Sequence, residues 1–318
     1  MSRILVLKFG ALGDVVMATS LIKQIQEFHR DKEVSLITSP AFTSVFTHWH
    51  DLKVVAFDRK GILGTLKMLA WIRKSGFARV YDLQSNDRTS VICALSGIKE
   101  RIGNHSRYPY THHPAEAWTG QCHIYERMLQ VLESAGIHAE AVPPLLLCSD
   151  EEKTRVKEWI NRHHLAQGSF VILHAGASSA HPEKCWPFFL ELAQAISRSG
   201  LEIVWVGAET EAKENHLRAK AVGIDASNTF SITGLAALGR KARFAGTNDS
   251  GPMHILSASG IPVFAFFGPT NWLRSHAIGQ LEHVIIPPGH SRNNYRPDTL
   301  DKIKVTDVVD ELSKHGLM

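Results

Sequence analysis

Four short stretches carry residue types and spacings that could do chemistry. In "LKFGALGDVV", residues 7–16, an apolar run breaks at Gly10 and Gly13 and is followed at once by Asp14. Glycines at such a turn let a ligand approach the backbone closely. A carboxylate at a helix start stays ionised and repels a phosphate. Asp14 therefore suits a neutral hydroxyl whose proton must be taken, although the same spacing fits an aspartate that only caps a helix. In "HAGASSAHPEKCWP", 174–187, Lys184 precedes Trp186-Pro187. A lysine there can neutralise a phosphate as a point charge or stand as an ordinary surface lysine. In "VWVGAETEAKE", 204–214, Glu211 opens a helix; an acid there is favoured by the helix dipole and could also grip a ribose diol. In "GTNDSGPMHILSASG", 246–260, Asp249, Ser250, Gly251 and His254 surround a helix start with Pro252 in the first turn. Free N–H groups at that start make an anion site, and an ordinary capped helix is the plain alternative.

These stretches must be held at the ends of elements, and the surrounding sequence supplies them. "RILVLK" (3–8), "VSLIT" (34–38), "VVAF" (54–57) and "RVYDL" (79–83) are short apolar runs suited to strands buried on both faces. Val15, Ala18, Ile22, Ile25 and Phe28 recur at helical spacing. Helices are also expected over 61–75 and over "HIYERMLQVLESAG" (123–136). A second series begins near 150 with a capped, acid-rich helix start, then "FVILHAG", "EIVWVGA", "RFAGTND" and "PVFAFFG" alternate with helical segments. Repeated β-α units imply parallel sheets with helices on both faces. Two doubly wound domains are expected, 1–150 and 151–318, with ligands at the carboxyl ends of strands. The Lys184, Glu211 and 249–254 loops then fall at one end of one sheet, where together they suit a nucleotide diphosphate.

Composition narrows the class. The 318 residues are 44% hydrophobic and 21% charged, with a net charge of +4. That is a soluble globular balance, mildly basic, and too weakly so to suggest nucleic acid. The four cysteines are scattered, without a C-x-x-C pair, so idle thiols are expected. No G-x-G-x-x-G follows a strand and no Walker motif occurs, which disfavours nicotinamide and P-loop ATP sites. No acidic cluster has metal-ligand spacing, so neither a metal nor another cofactor is expected. Arg3 and Lys8 flank only a strand-length apolar run, so no signal peptide is expected, and no run reaches membrane-spanning length. A cytoplasmic protein is expected, one that can still touch a membrane surface.

"ILVLKFGALGDVVMATSLIKQI", "HAGAS" with "KCWP", "VGAETE" and "GTNDSGPMHILSASGIPVFAFFGPTN" resemble, in order and nearly end to end, the heptosyltransferases of glycosyltransferase family 9. "HIYERMLQVLESAG" resembles the family's H-x-x-x-R helix. The resemblance implies a GT-B architecture: two Rossmann-like α/β domains facing a cleft, the first binding acceptor and the second the nucleotide sugar, with the final helix packing back on the first. It implies inverting transfer of heptose from ADP-heptose to the lipopolysaccharide inner core, on a Kdo or heptose acceptor. Asp14 matches the catalytic base, Lys184 a donor phosphate ligand and Glu211 a ribose-contacting acid. Asp249, Ser250, Gly251 and His254 match the donor loop. The acceptor would meet Gly13 and the cations Arg59, Lys60, Arg88 and Arg107, through Kdo carboxylates or lipid A phosphates at the inner leaflet. Rival readings are a transferase of another sugar, a sugar-nucleotide epimerase, or a sugar-nucleotide binding protein.

Overall fold

The computed structural model describes residues 3–57, 61–178 and 180–318. Arg59 and Lys60 lie outside the described residues. The chain divides into two compact units, Met1–Leu147 and Cys148–Met318.

Unit 1 runs β1 (Arg3–Leu7), α1 (Leu12–Phe28), β2 (Val34–Thr38), β3 (Leu52–Ala56), α2 (Gly61–Lys74), β4 (Phe77–Asp82), α3 (Asp87–Leu95), β5 (Glu100–Ile102) and α4 (Ile124–Glu133). Its strands are all parallel, in the order β3-β2-β1-β4-β5. The chain winds outward from β1 through β2 to β3, then returns to the other side of β1 with β4. The switch point lies between β1 and β4, where open α/β sheets offer a crevice. Helix α1 buries Val15, Ala18, Ile22 and Ile25 as their spacing predicts. Phe28 departs from that pattern, half-exposed at the helix end. The polar Thr19 and Ser20 are buried too, because α4 and the chain after it supply partners. Ser20 Oγ meets Tyr125 Oη at 3.0 Å, and Thr19 Oγ1 accepts from the Leu145 amide at 2.8 Å.

Unit 2 runs α5 (Asp150–Arg162), β6 (Phe170–His174), α6 (Phe189–Arg198), β7 (Glu202–Trp205), α7 (Ala212–Ala221), β8 (Ile224–Asp225), α8 (Ile232–Gly239), β9 (Ala245–Asn248), α9 (Gly251–Ser257), β10 (Val263–Phe266), α10 (Trp272–Ser275), β11 (Val284–Ile285) and α11 (Val305–Lys314). Its parallel sheet has the order β11-β10-β9-β6-β7-β8 and switches between β6 and β9. Strand β6 shows why a continuous apolar run marks a central strand. Phe170 and Ile172 point into the core on one face, Val171 and Leu173 into the core on the other. Helix α11 buries Val308 and Leu312 in unit 2 beside α6. Among the described residues no helix is long and apolar enough to cross a membrane.

Candidate functional site

In unit 2 the loops after β6, β7 and β9 meet at the switch point. Asn248, the last residue of β9, ties two of them together. Its Oδ1 accepts from the Trp186 amide at 3.0 Å, and its Nδ2 donates to the Ala175 and Gly176 carbonyls at 2.9 and 3.1 Å. Trp186 is anchored further by stacking on Phe266, with ring centroids 4.2 Å apart, and by donating Nε1 to the Ile303 carbonyl at 3.0 Å. The K-C-W-P string is therefore a lysine on a fixed tryptophan post. Lys184 closes a single 3₁₀ turn, Pro182–Lys184, and its Nζ lies 2.8 Å from Asp249 Oδ2. The ammonium is thus held at the carboxyl end of the sheet with its charge balanced by a neighbour.

Glu211 belongs to the loop after β7. Its Oε1 is 3.1 Å from His174 Nε2, and its Oε2 accepts from the Ala208 amide at 2.8 Å. Burial pushes its carboxyl up, but His174 and the Ala208 amide outweigh burial and hold it below the usual carboxylate range. The glycines of "HAG" and "VGA" make room for this acid. A Cβ on Gly176 would lie 1.3 Å from Glu211 Oε1, and one on Gly207 2.9 Å from Oε2. His174 also meets Ser250 Oγ through Nδ1 at 3.3 Å. Ser250, His174 and Glu211 therefore form one hydrogen-bonded chain. Ser250 is the N-cap residue of α9 and Gly251 its first residue, but the helix is only seven residues long. His254 is 4% exposed, in the buried row with Met253 and Ile255, which sets it apart from the rest of the expected donor loop.

In unit 1 the β1–α1 loop lies at the other switch point. Gly10 has φ +145, and a Cβ there would fall 2.6 Å from the Phe42 ring. The Phe9 and Gly10 amides both donate to Gln84 Oε1, at 2.8 and 3.1 Å. The loop after β4 thus shapes the loop after β1. Helix α1 begins at Leu12, earlier than the run from Val15 implies, so Gly13 and Asp14 sit in its first turn. The N-cap is Ala11, with no side-chain cap bond. Asp14 is consequently not the helix cap, and its half-buried carboxylate lies at the mouth of the sheet.

Beneath it is a buried charge system that the sequence reading did not single out. Lys8 is 2% exposed and donates Nζ to the Leu83 carbonyl at 3.1 Å. Burial pulls its ammonium below the ordinary lysine range, while the charges of Asp14 and Asp82 oppose that pull. Asp82 is fully buried and accepts from Tyr110 Oη at 2.5 Å and from the Ser85 and Gln84 amides at 2.9 and 3.1 Å. Burial still raises its carboxyl above the usual range. The available signals were a lysine ending an apolar strand in "LVLKFG" and an aspartate ending one in "RVYDL". Arg88 follows β4 in the first turn of α3, and Arg107 lies in the loop after β5. Both are exposed. Asp14, Arg88 and Arg107 thus come from loops after three adjacent strands. Among the described residues no group of three or more His, Cys, Asp or Glu is disposed to hold a metal ion.

Comparison with known proteins agrees with this architecture. A family model described as glycosyltransferase family 9 (heptosyltransferase) matches residues 66–304. The chain is 21% identical over 305 residues to the lipopolysaccharide core heptosyltransferase OpsX of Haemophilus influenzae, covering 88% of this chain and 83% of that protein. A family 9 glycosyltransferase structure from Veillonella parvula aligns with a TM-score of 0.81 and 21% identity, over 98% of this chain and 96% of that one. The ADP-heptose lipopolysaccharide heptosyltransferase II of E. coli aligns with a TM-score of 0.77 and 19% identity, over 98% of each chain. The expected α/β, GT-B-class fold is the one observed.

Proposed function

The chain belongs to glycosyltransferase family 9, the heptosyltransferases, and we propose that it moves heptose from ADP-heptose to a Kdo or heptose acceptor of the lipopolysaccharide inner core. Unit 2 binds the donor and unit 1 the acceptor. The names of OpsX and of heptosyltransferase II support this choice of sugar and polymer. The reaction is an inverting, single displacement that needs no metal. Asp14 takes the proton of the acceptor hydroxyl as that oxygen attacks the anomeric carbon, so the electron pair left by the broken O–H bond offsets the density the oxygen gives to its new bond. The bond to the ADP oxygen breaks on the opposite face, and negative charge grows on the departing diphosphate. Lys184 faces that charge. Asp249 keeps the ammonium in position beforehand, and the diphosphate takes over as its principal counter-charge. Glu211, braced by His174, accepts from a ribose hydroxyl. Arg88, Arg107 and the sequence-adjacent Arg59 and Lys60 meet the anionic groups of the acceptor. With a lipid acceptor in the inner leaflet, the protein works at the cytoplasmic face of the membrane as a peripheral enzyme.

The observation that carries the reading is that Asp14 stands at the switch point of unit 1 in the first turn of α1 without being its cap. A carboxylate there is spared from capping the helix. The test is transfer from ADP-heptose to truncated core acceptors ending in Kdo or heptose, comparing the parent with Asp14→Asn. The variant should fold and bind ADP-heptose within a few-fold of the parent, while kcat falls roughly 100-fold or more. Turnover close to the parent's would remove Asp14 as the base. Donor consumption without transfer to any acceptor would favour an epimerase, and tight binding without turnover a binding protein.

A further inference from the structure

Helix α2 is apolar where a surface helix should be polar. Its core face, Met68, Leu69 and Ile72, packs into unit 1. The opposite side carries Ile62 at 81% exposure, Leu63 at 66% and Leu66 at 55%. At 3.6 residues per turn, Ile62, Arg73, Leu66, Ala70, Leu63, Lys74 and Lys67 share one exposed arc of about 140°. A helix apolar on both sides is ordinarily covered on both. Neighbouring α3 extends the patch with half-exposed Val91 and Leu95, and Arg73 Nε fastens the two helices by donating to the Leu95 carbonyl at 2.8 Å. Of the eight large apolar side chains exposed among the described residues, five are on these two helices. Such concentration marks an interaction surface, whereas scattered single exposures do not.

Charge selects the occupant. Every charged residue of α2 is basic, namely Lys67, Arg73 and Lys74. A second copy meeting this face across a two-fold axis would bring those cations against their own counterparts. An anionic bilayer surface accepts both features, with apolar side chains entering the headgroup–acyl boundary and cations resting on lipid phosphates. We propose that α2 is an interfacial docking helix that seats unit 1 on an anionic membrane through Ile62, Leu63 and Leu66, with Lys67 and Lys74 as electrostatic contacts. This deepens the proposed function, resting on it only for the acceptor being a membrane lipid.

The test is sedimentation with phosphatidylethanolamine–phosphatidylglycerol vesicles and with phosphatidylcholine vesicles. The parent should bind the anionic vesicles, and less so at high salt. The triple variant Ile62→Ser/Leu63→Ser/Leu66→Ser should lose at least about tenfold in vesicle affinity, since binding scales with the apolar area inserted. Lys67→Glu/Lys74→Glu should lose binding to anionic vesicles specifically. Because all five side chains are exposed, Tm should hold, and so should kcat on a soluble acceptor lacking acyl chains. A parent that does not sediment, or a triple variant that sediments as the parent does, overturns the proposal. So does a parent dimer that the triple variant converts to monomer, which would assign the face to self-association. If α2-dependent vesicle binding is seen while no acceptor receives heptose, the docking helix stands and the catalytic reading falls.

Discussion

Lys184 illustrates how much a single residue owes to its neighbours. Its ion pair with Asp249 at 2.8 Å keeps the ammonium at the carboxyl end of the sheet, and the Trp186 post sets the height of its backbone. A lysine on a loose loop would lose several rotatable bonds' worth of entropy on meeting a phosphate; this one has already been ordered. Lys184→Ala should therefore weaken donor handling by the worth of one charge-assisted contact, roughly 1.5–3 kcal/mol. Measured as kcat/KM for ADP-heptose, that is a drop of about tenfold or more. Isothermal titration with ADP should show the same loss, because the contact involves the diphosphate and not the sugar. Unchanged donor kinetics would return Lys184 to the role of a surface lysine whose partner is Asp249 alone.

At the scale of an element, α4 explains why an H-x-x-x-R string opens a helix. His123 is its N-cap, accepting from the Tyr125 amide through Nδ1 at 3.1 Å, and its own amide is met by Glu126 in a capping box. Arg127, one turn on, is buried and reaches back into the loop between β5 and α4. It bonds Asn104 through both its side chain and its carbonyl, and the Glu116 carbonyl at 2.9 Å, with its guanidinium over the Trp118 ring. One side chain thus pins a long segment without regular structure, the segment that carries Arg107. Arg127→Ala leaves several of these acceptors unpaired and should cost roughly 2–4 kcal/mol. A Tm lower by about 5–10 °C and new proteolytic cleavage within residues 104–122 are the expected readouts. Cleavage elsewhere, with 104–122 still protected, would mean that the loop is held by other contacts.

At the scale of the whole molecule, two sheets each place their informative loops at a switch point, and the proposed division of labour assigns one substrate to each. Hydrogen exchange on the full chain with and without ADP tests that division directly. A ligand that binds only the native state slows exchange most where its contacts suppress local opening. ADP should protect 174–186, 207–215 and 246–254 and leave 8–14 and 83–89 nearly unchanged. Protection confined to the 8–14 loop would reverse the assignment of the two units.

The β-α alternation was legible because buried parallel strands read as continuous apolar runs and their crossover helices as amphipathic ones. The glycine-broken loops were legible for a related reason, since Gly10, Gly176 and Gly207 mark places where other atoms occupy the space of a Cβ. Helix α8, by contrast, was not foreseen. "ITGLAALG" is buried on nearly every side, so it has no polar face to reveal a period. Strand β5 and the edge strands β8 and β11 are too short to carry a pattern. The roles of Lys8, Asp82, His174 and Asn248 depend on partners far away in sequence, for example Lys8 on Leu83 and Asn248 on Ala175. The sequence by itself determined where the buried strands stop, because each apolar run breaks at its turn. Only the tertiary structure decided that Asp14 is not a cap, that Lys184 is paired, that His254 is buried and that α2 turns an apolar face outward. Each of these is a matter of what lies beside a residue in space, and local periodicity reports only what a residue does along its own chain.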